Sequence, residues 1–100
     1  MMQSISRLPA SYQEDVIHAV KILKEAGCQR VFLFGSLTTA GVTSQSDIDL
    51  AVRGCPKGSF FHLLGRLMLE LDHPVDLISL DQPTQFTRFL ETEGELLELA

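Results

Sequence analysis

The stretch Val31-Phe32-Leu33-Phe34-Gly35-Ser36, followed after ten intervening residues by Asp47-Ile48-Asp49-Leu50, constrains this chain more than any other. An unbroken apolar run of four reads as a buried strand, and Gly35-Ser36 interrupts it. From Asp47 to Val52 the pattern has period two. On a strand this puts Asp47 and Asp49 on one face and Ile48, Leu50 and Val52 on the other. Two adjacent carboxylates repel and raise each other's pKa unless a cation lies between them. A fold that keeps such a pair beside a Gly-Ser turn is suited to hold a divalent metal and a phosphate.

The turn and the acids carry different weight. Gly35 has no Cβ, so a phosphate can approach the backbone closely, and the Ser36 hydroxyl can donate to a phosphate oxygen. Alone, the dipeptide is more commonly a structural turn. Asp47 and Asp49 suit Mg²⁺, which takes one or two protein carboxylates plus substrate phosphates. The competing explanation is an edge strand whose exposed face is acidic. Asp76 tips the balance, because it sits in an otherwise aliphatic strand, Val75-Asp76-Leu77-Ile78-Ser79-Leu80, where an uncompensated charge is costly. Beside the Asp47–Asp49 strand it completes a three-carboxylate cluster able to hold two metal ions for phosphoryl displacement. It also suits a general base that takes the proton of an attacking hydroxyl.

The rest of the chain supplies a frame for these residues. One hundred residues predict a single domain, 1–100, able to bury roughly 60–70% of its unfolded surface. Ser11-Tyr12-Gln13-Glu14 has the form of a capping box, and Val16, Val20 and Leu23 give an amphipathic helix ending at Gly27. Leu37 to Gly41 is long enough for one helical turn, and Val42 to Ser46 reads as a loop. Ser59 is placed to cap a second helix running to about Leu71, with Phe60, Leu64, Leu67 and Leu71 as its core stripe. Phe61, Leu63, Met68 and Leu69 spread apolar surface around it, so it is either deeply buried or covered by another chain, and a partner surface is favoured in so small a domain. Asp81-Gln82-Pro83 starts a last helix with Phe86, Phe89 and Leu90 inward, and Leu96 to Leu99 forms a final strand. The alternation gives α/β layers, strictly α+β, with helices packed on a central sheet.

Charge and cysteine usage narrow the function. A net charge of −5 argues against a broad nucleic-acid surface, though a nucleotide's charge can be met by metal ions. No apolar run is long enough to span a membrane, and the N-terminus lacks the apolar block of a secretory signal. A cytoplasmic protein is expected. Cys28 and Cys55, without metal-type spacing, read as two reduced, buried thiols.

Gly35-Ser36, ten residues, then Asp47-Ile48-Asp49 resembles the hallmark of the DNA polymerase beta-like nucleotidyltransferase superfamily. Phe32 to Ser36 and Ser46 to Leu50 resemble its small branch, the minimal nucleotidyltransferases, and Val75 to Ile78 resembles the segment carrying that family's third carboxylate. The likeness covers nearly the whole chain. It implies a mixed-sheet palm in which Asp47, Asp49 and Asp76 bind two Mg²⁺ ions and Gly35 and Ser36 hold the triphosphate of ATP. One departure stands out. The arginines that commonly follow the Gly-Ser pair are replaced by Leu37-Thr38-Thr39-Ala40, so either nucleotide affinity is low, or Arg53, Lys57 or a partner chain meets the phosphates.

That branch usually works with an all-helical chain of the HEPN class, often an RNase toxin. The resemblance therefore implies a hetero-oligomeric antitoxin that moves AMP from ATP to a tyrosine of the toxin. The alternatives are a module that neutralises its partner by contact alone, or transfer to a small molecule.

Overall fold

The computed structural model describes residues 5–35, 46–92, 94 and 96–100. Helix α1 (Ala10–Glu25) leads into strand β1 (Arg30–Phe34), followed by β2 (Ile48–Arg53), α2 (Phe60–Glu70), β3 (Val75–Ser79), α3 (Gln85–Thr92) and a two-residue β4 (Leu97–Glu98). The sheet order is β3-β2-β1-β4. β1 runs antiparallel to β2 and β4, while β2 and β3 are parallel. A parallel neighbour requires a crossover, and α2 provides it. The sheet is therefore mixed, as the resemblance implies.

The alternation of each strand divides the core in two. Val31, Leu33, Ile48, Leu50, Val52 and Leu77 point to the face covered by α1 and α2, where they meet Val16, Leu23, Leu63 and Leu67. Phe32, Phe34 and Ala51 point to the opposite face, with Leu80 just after β3 and Leu90 of α3. Asp49 and Asp76 belong to this second, more thinly covered side.

The helix ends differ from the sequence expectation at three points. α1 begins before Ser11: the Pro9 carbonyl accepts the amides of Tyr12 and Gln13, both at 3.0 Å, and no side chain caps the helix. Gln13 instead donates to the carbonyls of Ser6 and Leu8. The Ser59 hydroxyl likewise turns back to the Pro56 carbonyl (2.6 Å) and leaves α2 uncapped by a side chain. Asp81 does not start α3, because its carboxylate accepts the Gly54 amide at 2.9 Å. The helix starts from Thr84, whose hydroxyl accepts the Thr87 amide while the Thr87 hydroxyl accepts the Thr84 amide. This reciprocal cap fixes the helix so that Thr87 and Leu90 are buried, while Phe86 and Phe89 are 51% and 53% exposed.

α2 is not deeply buried. Leu63 and Leu67 face the core, whereas Phe61 is 82% and Leu69 is 88% exposed, and Met68 lies out with them. The C-terminal cap of α1 forms as expected: Gly27 adopts φ +104°, its amide reaches Lys24 and that of Cys28 reaches Leu23.

The cysteines correct the sequence reading. Cys28 and Cys55 form a disulfide rather than two free thiols. The β1–β2 register brings them together: Arg30 opens β1 opposite Arg53, which ends β2, and Cys28 lies two residues before the one while Cys55 lies two residues after the other. Among the described residues no helix is long and apolar enough to cross a membrane.

Candidate functional site

Three strands converge on Asp49. It pairs across β1 with Phe34 and across β2–β3 with Asp76. Its neighbours Ile48 and Leu50 are fully buried beneath the helices, so the alternation turns its carboxylate to the opposite face. Parallel register places the two aspartate backbones one strand spacing apart, about 4.8 Å. Asp47 is exposed in the segment just before β2.

The electrostatics follow from this placement. Partial burial, then Asp76, then Asp47 push the Asp49 carboxyl above its ordinary pKa. Asp49 thus senses both other acids, as mutually repelling carboxylates must. Asp76 is exposed on the edge strand, and its Oδ1 accepts the Leu77 amide at 3.1 Å. Among the described residues no three His, Cys, Asp or Glu side chains stand close enough to hold an ion as they are. The donor set nonetheless fits Mg²⁺: all are oxygen ligands, and a divalent cation would relieve the repulsion that adds to burial at Asp49.

Gly35 closes the site from the β1 side. Its φ is +76°, and a Cβ placed there would lie 2.2 Å from Asp49 Oδ2. Only glycine lets the backbone turn over the carboxylate at this point. Its sequence partner Ser36, and the segment 37–40 that replaces the arginines, lie outside the described residues. Of the two substitute cations, Arg53 shares the Asp49 face of β2 but is held by Glu91. Lys57 lines a cleft of about 620 Å³ between α2, β3 and α3, whose walls include Phe61, Asp81 and Phe86 but none of the three aspartates.

Sequence reasoning missed a second polar group behind the site. Tyr12 is buried, donates to the Ser46 carbonyl at 2.6 Å and stacks on His73, the ring centroids 3.7 Å apart. Burial and the nearby Asp47 raise the Tyr12 pKa, and its bond to Ser46 opposes them. Asp15 Oδ2 accepts the His73 backbone amide at 2.8 Å and lies 2.7 Å from Nδ1 of its ring. A spacing of three residues puts Tyr12 and Asp15 on one helix face, which was legible, but their partner 58 residues from Asp15 was not.

The model of the polymerase beta nucleotidyltransferase family matches residues 18–98. Three solved structures show the same likeness over 84% of this chain. A chain of a mutant of the toxin–antitoxin MntA-HpeT is 30% identical at TM-score 0.61, covering 84% of this chain and 70% of that one. One of a toxin–antitoxin with AMP-PNP is 27% identical at TM-score 0.62, covering 84% and 70%. One of the tri-AMPylated Shewanella oneidensis HEPN toxin in complex with MNT antitoxin is 27% identical at TM-score 0.59, covering 84% and 69%. No curated protein sequence matches the chain.

Proposed function

The chain belongs to the polymerase beta nucleotidyltransferase family, in its minimal branch, and from that premise we propose that it transfers AMP from ATP to a tyrosine hydroxyl of a helical HEPN-type partner. The observation that carries this reading is the pairing of Asp49 with Asp76 in register, with the Gly35 backbone folded against the Asp49 carboxylate. Acids at that spacing suit the metal-assisted chemistry of nucleotidyl transfer.

In the proposed reaction the acceptor oxygen forms a bond to the α-phosphorus of ATP, and the bond from that phosphorus to the bridging oxygen breaks. Pyrophosphate leaves with the electron pair. Asp76, exposed on the edge strand and open to an incoming hydroxyl, takes the acceptor's proton. Asp47, Asp49 and Asp76 are the residues that would hold Mg²⁺, and Gly35 with Ser36 would receive the triphosphate. When bound, divalent ions neutralise the phosphates and stabilise the attacking and leaving oxygens.

The partner reading is supported by the related complexes with HEPN toxin and by the apolar outer face of α2, where Phe61, Met68 and Leu69 stand exposed. The same face favours a second reading, neutralisation by contact without transfer, because Arg53 is already engaged by Glu91. One experiment separates the two. The protein and its Asp49→Asn variant are incubated with α-labelled ATP, Mg²⁺ and the co-expressed helical partner. Label on the partner that is absent with the variant and with EDTA establishes transfer. A stable, unlabelled complex with both forms establishes the contact mechanism instead.

A further inference from the structure

Among the described residues Asp15 is the buried carboxylate, and the proposed reaction makes no use of it. A buried carboxylate is costly unless hydrogen-bonded. Asp15 holds the turn between α2 and β3 at three points: it accepts the Asp72 amide and the His73 amide, and it contacts His73 Nδ1. His73 in turn lies flat against Tyr12, and the Tyr12 hydroxyl holds the carbonyl of Ser46, the residue before Asp47. The Ile48 amide completes the circuit by donating to the Pro74 carbonyl at 2.8 Å. The first turns of α1 therefore grip the entrances of both acid-bearing strands. Asp47 and Asp49 follow one grip, and Asp76 follows the other by three residues.

We propose that Tyr12 is a positioning residue for nucleotidyl transfer: with His73 and Asp15 it locks the N-terminal ends of β2 and β3 together, so that Asp47 and Asp49 meet Asp76 in a fixed register. The inference rests on the nucleotidyl-transfer reading for its purpose, but the lock itself can be measured without metal or nucleotide. A mere core aromatic needs only its ring. A positioning residue needs its hydroxyl.

Tyr12→Phe keeps the ring and the stack on His73 and deletes the hydroxyl alone. Amide exchange of Ile48 is expected to rise about fivefold to tenfold in the variant, while that of Leu33 on central β1 stays as in the wild type. Unchanged exchange at Ile48, or an equal rise at both amides, overturns the lock, the second outcome being general loosening. Titration with Mn²⁺ alone then reads the site: about fivefold weaker binding by Tyr12→Phe supports positioning, and equal binding overturns it. A wild type that binds no Mn²⁺ and transfers no label overturns the nucleotidyl-transfer reading, whatever the exchange result says of the lock. Should Tyr12→Phe not fold, His73→Phe, which retains a stacking ring and loses the Nδ1 contact with Asp15, is read by the same criteria.

Discussion

At the residue scale, the site turns on how closely Gly35 and Asp49 approach. Gly35→Ala must place a Cβ at φ +76° and 2.2 Å from Asp49 Oδ2, so the carboxylate has to move. The left-handed backbone alone costs about 1–2 kcal/mol. We expect Gly35→Ala to lose about 1–3 kcal/mol in urea unfolding and to lose transfer more than stability, since the displaced group is the central acid. Asp49 itself gives a pH signature. Its folded pKa is raised, so the native state favours the protonated form. That contribution is complete below the unfolded aspartate value of about 3.9 and is lost as pH rises through the higher folded value. Asp49→Asn does not titrate and should melt above the wild type at neutral pH, the gap closing as pH falls to the ordinary aspartate range. Mg²⁺ should narrow the gap from the other side by raising the wild type alone. Melting curves that keep the same separation at every pH contradict a raised carboxyl at Asp49. These acids were legible in the sequence because a charge alternating with aliphatic residues has few explanations on a strand. The approach of Gly35 to Asp49 was not, because it depends on a dihedral angle and a register that no single residue announces.

At the element scale, legibility tracks how sharply a pattern selects one face. β1, β2 and β3 fall within a residue or two of their sequence bounds, since alternation and aliphatic runs leave little choice. α2 has apolar residues all round, so periodicity cannot fix its rotation: Leu63, set outside the expected stripe, is buried, and Leu64 is only partly so. What remains outward is a second stripe of Phe61, Met68 and Leu69, with Gly65 open between them. Leu69→Lys should leave stability within about 0.5 kcal/mol, as exposed substitutions do, while weakening capture of the co-expressed helical partner by an order of magnitude or so. Undiminished co-purification would move the partner to another face. In α3 the Thr84–Thr87 cap overrode the apolar pattern, leaving Phe86 edge-on to Phe34 at 6.2 Å rather than inside. Thr84→Ala should cost about 1 kcal/mol, the usual worth of an N-terminal cap, read as a lower thermal midpoint.

At the scale of the whole molecule, the disulfide and the carboxylates occupy opposite ends of the same strand pair. Cys55 lies two residues beyond Arg53, and Asp49 sits near the start of β2. Asp49 to Arg53 is four residues of strand, about 13 Å, and the left-handed turn at Gly54 then leads to Cys55. The bridge was not legible because two cysteines far apart in sequence carry no pairing signal until the antiparallel register sets them face to face. Its effect should be global rather than chemical. The cysteines are separated by 27 positions, and a loop of that length corresponds in the chain-entropy model to about 3–4 kcal/mol of restraint on the unfolded state, an upper bound for the native gain. In so small a domain that is a large fraction of a total stability of roughly 5–15 kcal/mol. Reductant, or the double change Cys28→Ala with Cys55→Ala, should therefore lower the urea midpoint clearly. It should leave the transfer rate at 25 °C intact so long as the fold persists, because neither sulfur lies near Asp49. Equal midpoints with and without reductant would show that the bridge restrains little. A rate that falls while the fold holds would show that the two ends of the strand pair are mechanically coupled, and would put the register of β1 on β2 among the determinants of the site.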